Sequence, residues 1–465
     1  MNRFTIQLDE IKAAYAAEPN PTLEVRLERI GRIKKMLEAN EDKICKALIA
    51  DFGVRHPLET RLAELQMVYQ ACKYTHKHLR DWMKPVQMET PSYLSSCEAW
   101  IENQSIGVVG IMSPWNYPIQ LALVPAIAAF AAGNRVWLKP SERSSRTSGF
   151  LAGLIQEYFH ASEFCVSPGG PDVAEQFAAL PFAHLLFTGS ESIGKKVMRA
   201  AAENLTPVTL ELRGKTPVIL DASANLTEAA SAIVYGKLLN GGQTCIAPDY
   251  VLIEESKQAE LIQALQVATQ SQFSNPKELT GPIDDAQLQY WQHLVSDAID
   301  RGARVIPLLN NPAAGARRFD PVALVDVPQD ARVLHEEIFG PILPVLTAAN
   351  TTDAIAYVNS KPNPFALYWF GKDKKNMRRV LEETLSGGVT INDVLLHATI
   401  ESLPFGGVGA SGMGSYHGKT GFDTFSHQKS ILQVRGLLGT NLLKGTKPIR
   451  PPYGKKLERL IRRYQ

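Results

Sequence analysis

The regular alternation of apolar runs with amphipathic stretches is the feature that most constrains the fold of this chain. Between 106 and 211, short apolar runs alternate with stretches whose apolar residues recur every three to four positions. This pattern is typical of a parallel sheet covered by helices, because each strand is followed by a helical crossover. The sequence therefore predicts an α/β fold, with strands at 106–112, 135–139, 184–188 and 209–211 and helices at 119–132, 147–159 and 193–203.

Two further patterned stretches flank residues 106–211. From 218 to 392 the α/β pattern continues, and residues 22–84 have helical periodicity, which prolines at 85 and 91 end. We expect a hairpin over 86–104 that leaves the globule. The helices predicted in the second α/β stretch lie near 227–240, 256–272, 285–302 and 373–385.

Charge and cysteine content narrow the function classes. The chain has 49 Lys and Arg against 47 Asp and Glu, a net charge of +2, which argues against a dedicated nucleic-acid binder. Its five cysteines include no CxxC pair, so we expect free thiols, a cytoplasmic location and no metal site. The N-terminus lacks the apolar segment of a secretory signal, and the apolar run at 121–133 is too short to cross a bilayer.

The C-terminal segment has its own character. From 444 to 465 it carries eight Lys or Arg residues and a single acidic one, Glu458. Leu457, Leu460, Ile461 and Tyr464 would share one stripe of a helix. We interpret this as a short helix docked on the chain's own dimer. Binding to an anionic membrane surface is the alternative.

Cys245 is the strongest candidate nucleophile. It ends the segment NGGQTC (240–245), in which two glycines allow backbone N–H groups to approach a reacting oxygen closely. Cysteine is more often a small buried apolar residue than a nucleophile. We keep that interpretation for the other four, which lie in helical or strand patterns: Cys45, Cys72, Cys97 and Cys165.

Polar residues follow several predicted strands. Glu211 ends the strand at 209–211, where α/β ligand crevices form, and a desolvated carboxylate there can act as a general base. Asn116 lies between two prolines in SPWNYP (113–118), which suits an amide that donates to an oxyanion. Lys139 and Glu142 close another strand and could hold ribose hydroxyls.

The segment at 187–196 opens a helix directly after a strand. Its first amides and helix dipole could receive a phosphate. It nearly matches the P-loop pattern GxxxxGK[ST], but Lys196 stands where that pattern requires a Mg²⁺-binding Ser or Thr. Taken alone, it is weak support for a phosphate site.

Together these segments resemble the aldehyde dehydrogenase superfamily along nearly the whole chain, most of all its class 3 branch and the bacterial coniferyl-aldehyde-dehydrogenase-like members. Seven motifs occur in the family's order. They are SPWNYP (113–118), LKPSE (138–142), FTGS…G (187–194), TLEL (209–212), NGGQTCIAPDY (240–250), EEIFGP (336–341) and ESLPFGGVGASGMGSYHGKTGFDTFSH (401–427).

The resemblance implies catalytic roles for three residues. Cys245 would attack the aldehyde carbonyl to form a thiohemiacetal, whose oxyanion the Asn116 amide and the Cys245 backbone N–H would hold. Glu211 would activate the water that hydrolyses the thioester. A free thiol has a pKa of about 8.5, so we expect local stabilisation of the Cys245 thiolate.

The resemblance also implies binding roles. Lys139 and Glu142 would hold the adenosine ribose, with Glu142 favouring NAD over NADP although class 3 relatives often use both. Gly189, Ser190 and Gly194 would line the pyrophosphate site, and Glu337 would hold the nicotinamide ribose with Phe339 beside it. Tyr117, Thr244 and Phe405 would line a tunnel for an aromatic aldehyde, such as coniferyl aldehyde, or a medium-chain aldehyde.

The implied architecture is a dinucleotide-binding domain, a catalytic domain and a small β arm that pairs subunits of a homodimer. The expected ranges are 1–85 with 105–210 for NAD binding, 211–395 for catalysis, 86–104 with 418–440 for the arm, which includes a strand near 425–435, and 441–465 for the basic tail.

One departure from the family pattern is Arg213. The family usually reads Glu-Leu-Gly-Gly-Lys, whereas this chain has Glu211-Leu-Arg213-Gly-Lys. Arg213 could pair with Glu211, crowd the nicotinamide, or point outward. It motivates one alternative function, a catalytically impaired homologue. The others are a CoA-acylating dehydrogenase, which would have no use for a hydrolytic base, and a P-loop phosphotransferase.

Overall fold

The computed structural model describes residues 3–91, 94, 97–310, 317–434 and 450–464. The α-helices of this part, numbered α1 to α16 in chain order, are Arg3–Ala17, Leu23–Glu38, Glu41–Phe52, Pro57–Thr60, Gln66–Trp82, Gln120–Ala131, Ser145–Tyr158, Pro171–Ala178, Glu191–Ala202, Leu226–Leu238, Glu255–Phe273, Asp285–Asp300, Thr351–Asn359, Lys374–Glu383, Gly418–Thr424 and Lys455–Tyr464.

The strands of the same part are numbered β1 to β16 in chain order. They are Val86–Met88, Cys97–Ser105, Val108–Met112, Arg135–Lys139, Phe164–Val166, His184–Thr188, Val208–Glu211, Pro217–Leu220, Tyr250–Ile253, Arg304–Pro307, Val322–Val325, Ile342–Thr347, Ala366–Phe370, Gly388–Ile391, Gly412–Met413 and Ser426–Val434.

A six-stranded sheet is built from the first α/β stretch, in the order β15-β7-β6-β3-β4-β5. All neighbours are parallel except β15, which pairs antiparallel with β7. Every residue of β3 and β4 is buried, because helices cover both faces of a parallel sheet. The carboxyl ends of β3, β4, β6 and β7 therefore meet at one edge, and the motif segments follow them there.

A seven-stranded sheet is built from the second stretch, in the order β10-β11-β12-β9-β8-β13-β14. It is parallel apart from β10, which runs antiparallel to β11 at the edge. The α/β fold is thus confirmed. The expectation of parallel sheets was wrong at these two edges. No helix separates β10 from β11 within the described residues, and β15 returns to β7 only after the chain has formed the second sheet.

A three-stranded sheet, β1-β2-β16, is antiparallel throughout, and β16 pairs with β2 over nine positions from Ser426–Ser105 to Val434–Cys97. This sheet contains the predicted hairpin and the strand predicted near 425–435, of which 435 lies outside the described residues. Most of β16 is exposed. The predicted arm range 435–440 and the tail range 441–449 also lie outside the described residues, and the domain ranges stay a prediction.

The predicted helices and strands agree with the structure to within a few residues, with four helices unpredicted. These are α1, α8, α13 and α15, the last of which lies in the range predicted for the β arm. Within the described residues, α1 contributes Leu8 and Ile11 to the core beneath the six-stranded sheet. No helix in the described ranges is long and apolar enough to span a membrane. At the end of the chain α16 forms where a helix was predicted, with Leu457 partly buried and Ile461 exposed.

Candidate active site

Cys245 follows a turn that requires glycine. Helix α10 ends at Leu238, and Asn240, Gly241 and Gly242 then take positive φ angles of 54°, 61° and 77°. A Cβ on Gly241 would lie 2.4 Å from the carbonyl oxygen of Thr280. The left-handed backbone and this close approach together exclude larger side chains. The glycines thus shape the turn that presents the thiol.

A buried amide network fixes this turn. The Gln243 Nε2 amide donates to the carbonyls of Asn240 at 2.9 Å and Gly281 at 3.0 Å, and its Oε1 accepts from Ile283 N at 2.9 Å. Asn240 Nδ2 donates to the carbonyl of Asn116 at 2.9 Å. Asn240 Oδ1 has no partner within the described residues, whereas both ends of the Gln243 amide are paired, and these bonds hold the turn before Cys245 in place.

The Asn116 side chain lies against the same turn. Its Nδ2 donates to the carbonyl of Gln243 at 3.1 Å, two residues before Cys245. The amide carries two N–H groups, so a second donor remains besides this bond. Asn116 lines the same cavity as the Cys245 thiol.

Two charged residues that the sequence reasoning missed support the Asn116 loop. Buried Glu64 accepts from the backbone N–H of Ile119 at 3.1 Å and of Gln120 at 2.8 Å. Arg55 pairs with Glu64 at 3.4 Å and donates to the carbonyl of Asn116 at 3.3 Å. Nothing in the helical pattern of 22–84 distinguishes these two from its exposed charges, because their partners are remote in sequence.

Glu211 ends β7 and faces the cavity that Cys245 lines. Its side chain is buried, and neither carboxyl oxygen has a hydrogen bond of good geometry within the described residues, although the backbone N–H of Gly407 lies near enough to favour the ionised form. Burial raises the pKa of Glu211 well above its usual range. A carboxyl group with unsatisfied oxygens and a raised pKa beside a thiol has the features of a general base.

The cavity that joins these groups has a volume of about 560 Å³. It extends from Cys245 to the Lys139–Glu142 segment. The predicted site residues on its wall are Asn116, Lys139, Glu142, Gly189, Ser190, Glu211, Cys245, Phe339 and Phe405. The sequence predicted Phe405 as a wall residue but not Phe365 and Tyr416. Both of these also line the cavity, and each contacts the Phe405 ring.

The far end of the cavity has groups that suit a nucleotide. Lys139 Nζ pairs with Glu142 Oε2 at 2.8 Å. Gly189 and Ser190 line the cavity immediately before α9, whose first N–H groups have no partner within the helix. The buried Thr188 hydroxyl has no hydrogen-bond partner in the described ranges. These unpaired donors and acceptors fit a dinucleotide.

Four predicted site residues do not line this cavity. Gly194 packs in the first turns of α9, where a Cβ would lie 2.5 Å from Leu212 Cδ2, so its smallness serves helix packing. Tyr117 and Thr244 are buried with their hydroxyl oxygens 2.7 Å apart, which gives no support for placing them on the aldehyde tunnel. Glu337 is the fourth, and Arg213 lies against it.

Arg213 pairs with Glu337 rather than with Glu211. Its Nε lies 3.4 Å from Glu337 Oε2, and its guanidinium carbon lies 4.0 Å from the centre of the Phe339 ring. Of the three positions considered from the sequence, pairing with Glu211 is wrong, and Arg213 instead contacts the two residues for which the resemblance implies a nicotinamide role. Phe339 itself has a positive φ of 47°.

The expected stabilisation of the Cys245 thiolate was wrong for this arrangement. Burial, reinforced by the carboxyl groups of Glu337 and Glu211, raises the pKa of Cys245 to about 12, while Arg213 acts in the opposite direction. The sequence could not reveal this, because both carboxyls come from other strands and loops. The other four cysteines are buried, as expected.

The P-loop alternative is not supported by the helix start. Lys195, the lysine of that pattern, is exposed and pairs with Glu191 of its own helix at 2.5 Å. Lys196 lines the cavity but replaces the residue that would bind Mg²⁺.

Comparison with known proteins agrees with this geometry. The aldehyde dehydrogenase family is matched over residues 8–431. A coniferyl aldehyde dehydrogenase from a Pseudomonas species is 42% identical over 98% of this chain and 94% of its own length. The rat "Aldehyde dehydrogenase, dimeric NADP-preferring" is 35% identical over 97% of this chain and 99% of its own length.

A solved structure extends the agreement to the fold. The substrate-bound state of Staphylococcus aureus AldH superposes with a TM-score of 0.93 at 36% identity, covering all of both chains. The resemblance inferred from the seven motifs is confirmed, and with it NAD(P)-dependent aldehyde oxidation as the reaction. The chain belongs to the aldehyde dehydrogenase family.

Proposed function

We propose that this enzyme oxidises its aldehyde through a covalent thioester on Cys245. The observation that carries the proposal is one cavity lined by the thiol, by the Asn116 amide and by an unpaired buried carboxyl, Glu211. Each group has a different task, and no other described residue is needed to move a proton or form a bond in this scheme.

The steps follow from these groups. The Cys245 thiol releases its proton to solvent, its sulfur adds to the aldehyde carbon, and the carbonyl oxygen becomes an oxyanion that the Asn116 amide and the Cys245 N–H stabilise. A bound nicotinamide cofactor would supply the hydride acceptor that converts this adduct into an acyl thioester. Glu211 takes a proton from water, the hydroxide adds to the thioester, and the proton held by Glu211 passes to the departing Cys245 sulfur as the carboxylic acid is released.

Removing the Asn116 amide tests the oxyanion role. In Asn116→Ala we expect kcat to fall by about 10²- to 10³-fold, the usual effect of losing one oxyanion donor. Steady-state NADH formation measures it, and Asn116→Asp, which keeps the shape but cannot donate, should show a loss of similar size. A fall of less than about threefold in both variants would remove Asn116 from the mechanism.

We propose NAD as the favoured cofactor, with NADP also used. Glu142, beside Lys139, would accept hydrogen bonds from the adenosine ribose hydroxyls and repel a 2′-phosphate. In Glu142→Gln the ratio of kcat/KM for NADP to that for NAD should rise about tenfold, or about 1.4 kcal/mol. Glu175→Gln, on the same cavity wall but without the lysine, is the control. An equal rise of this ratio in both variants would mean that the loss of any carboxylate near the cavity favours NADP, and that Glu142 has no specific role.

An aromatic or medium-chain aldehyde is the proposed substrate. Phe365, Phe405 and Tyr416 give the thiol end an aromatic wall, and a relative is named for coniferyl aldehyde. NADH formation with coniferyl aldehyde, cinnamaldehyde and a series of aliphatic aldehydes tests it. A preference for acetaldehyde over all of these would contradict the proposal.

We also propose a homodimer formed through the three-stranded sheet. β16 is the edge strand of this sheet and exposes Leu432 and Val434, and the rat relative is named dimeric. An edge strand with exposed apolar residues is suited to pairing with a second copy. A solution mass near that of one 51.2 kDa chain would count against it. The cytoplasmic location stays a prediction.

The CoA-acylating alternative is disfavoured by Glu211. An acylating enzyme transfers the acyl group to a thiol and gains nothing from a base that activates water. Adding CoA to the assay should leave NADH formation unchanged and produce no acyl-CoA. The impaired-homologue alternative is disfavoured because Cys245, Glu211 and Asn116 share one cavity despite Arg213.

A further inference from the structure

Arg213 stands between a buried carboxylate and the active-site cavity. It lines the cavity, whereas its partner Glu337 does not. The Arg213 side chain is 28% exposed and that of Glu337 is 12% exposed. A ligand that enters this part of the cavity therefore meets the guanidinium before it meets the carboxylate.

The same guanidinium also covers an aromatic face. Its carbon lies 4.0 Å from the centre of the Phe339 ring, well inside the range of a cation–π contact. Phe339 also contacts Trp115, edge to face, with the ring centres 5.3 Å apart. One side chain thus contacts both residues proposed for the nicotinamide ribose.

One carboxyl oxygen of Glu337, beside the Arg213 guanidinium, is free to accept a hydrogen bond. Its Oε2 is 3.4 Å from Arg213 Nε, yet it accepts no hydrogen bond within the described residues. Lys215 is engaged elsewhere, with Asp249 Oδ2 at 2.5 Å and the carbonyls of Val333 and Glu336 at 2.8 and 2.9 Å. An unsatisfied buried carboxyl oxygen is costly to leave unpaired, and a ribose hydroxyl would satisfy it.

We propose that Arg213 is a latch on the nicotinamide-ribose site, which the nicotinamide half of the cofactor must displace in order to reach Glu337 and Phe339. The proposal rests on the proposed function and on the nicotinamide-ribose role that the family resemblance implies for Glu337 and Phe339. Arg213 then lowers the affinity for the nicotinamide half alone and leaves the adenosine half, at Lys139 and Glu142, unaffected.

Partial exposure makes the displacement feasible. A guanidinium that is already in contact with solvent can move outward into water without becoming buried and unpaired. Its cost is the loss of one ion pair at 3.4 Å and one cation–π contact, and a ribose hydroxyl that bonds Glu337 would offset part of this loss. We therefore expect the latch to reduce affinity about tenfold rather than to abolish binding.

Calorimetric binding of NADH, ADP-ribose and ADP tests the latch. ADP-ribose retains the second ribose and would also have to displace Arg213, so ADP, which has the adenosine and both phosphates without that ribose, is the reference ligand. In Arg213→Ala we expect the Kd values for NADH and ADP-ribose to fall about tenfold and the Kd for ADP to change less than twofold. Arg213→Gln, which keeps a long side chain without the charge, should move in the same direction, and Arg213→Lys should stay nearer the original enzyme.

The outcomes are distinguishable. If neither NADH nor ADP binds the original enzyme, the proposed cofactor site itself is wrong. If both bind and the ratio of their Kd values is unchanged in Arg213→Ala and Arg213→Gln, the latch is wrong. Weaker NADH binding in both variants would also overturn it, since Arg213 would then be a cofactor ligand. Thermal unfolding of each variant confirms that the binding protein is folded.

Discussion

Replacing Cys245 by alanine should abolish aldehyde oxidation, with a fall in kcat of at least about 10⁴-fold. No other described group on the cavity wall is a nucleophile of comparable strength, and without the covalent intermediate the reaction loses the route that divides one difficult step into two. NADH formation at 340 nm with coniferyl aldehyde measures the loss. Because the substitution removes only a sulfur atom, the affinity for NADH should remain within about twofold.

The matched control is Cys45→Ala. Cys45 is buried in α3, remote from the cavity wall, and its Sγ contacts only the carbonyl of Pro57 among the hydrogen bonds of the described chain. We expect its activity to stay close to that of the original enzyme. Retention of more than about a tenth of the activity by Cys245→Ala would place the nucleophile elsewhere.

Replacing Glu211 by glutamine should stop turnover after the first catalytic event. The amide cannot accept a proton from water, so the thioester should accumulate while the preceding hydride transfer proceeds. We expect a burst of about one NADH per active site, followed by a steady rate about 10²- to 10⁴-fold below the original. Stopped-flow absorbance shows the burst, and the intact mass of the protein reveals the acyl group on Cys245.

The control for this variant is Glu203→Gln, an exposed carboxyl at the end of α9. It should turn over normally. Loss of the burst along with the steady rate in Glu211→Gln would mean that Glu211 acts before hydride transfer, as the base for the thiol. A normal steady rate would remove Glu211 from the mechanism.

The pH dependence of kcat follows from the raised pKa of Glu211. Below that pKa the carboxyl is protonated and cannot accept a proton, so kcat should fall as the pH is lowered and rise as the carboxyl ionises. The effect on stability has the opposite sign. The folded state holds this proton above the pH at which the unfolded chain releases it, so ionisation destabilises the fold as the pH rises. Glu211→Gln should lose both dependences.

The sequence identified local chemistry well. The motif order, the turn around Asn240–Cys245 and the position of Glu211 at the end of a strand were all readable, because each depends on a few adjacent residues. Strand and helix bounds followed from periodicity for the same reason. Helix α1, with its weakly patterned apolar residues, was missed because tertiary packing, rather than periodicity, defines its buried face.

Contacts between residues distant in sequence could not be predicted. The supports of Asn116 come from Arg55 and Glu64, about 60 and 50 residues earlier in the chain. Tyr117 and Thr244 adjoin catalytic motifs but are buried with their hydroxyls facing each other. Adjacency in sequence places a residue near a site, whereas the direction of its side chain depends on which element packs against it.

By itself the sequence determined the α/β fold, the family and the reaction class. Periodicity and motifs of adjacent residues are local properties, so they can be recognised without knowing how the elements pack. Only the tertiary structure decided the partner of Arg213, the raised pKa of Cys245 and the cover over Glu337. These depend on carboxyl, guanidinium and thiol groups that come from separate loops and lie in or directly against one poorly solvated cavity. Burial and nearby charge there determine pairing and pKa, and neither can be inferred from adjacent residues.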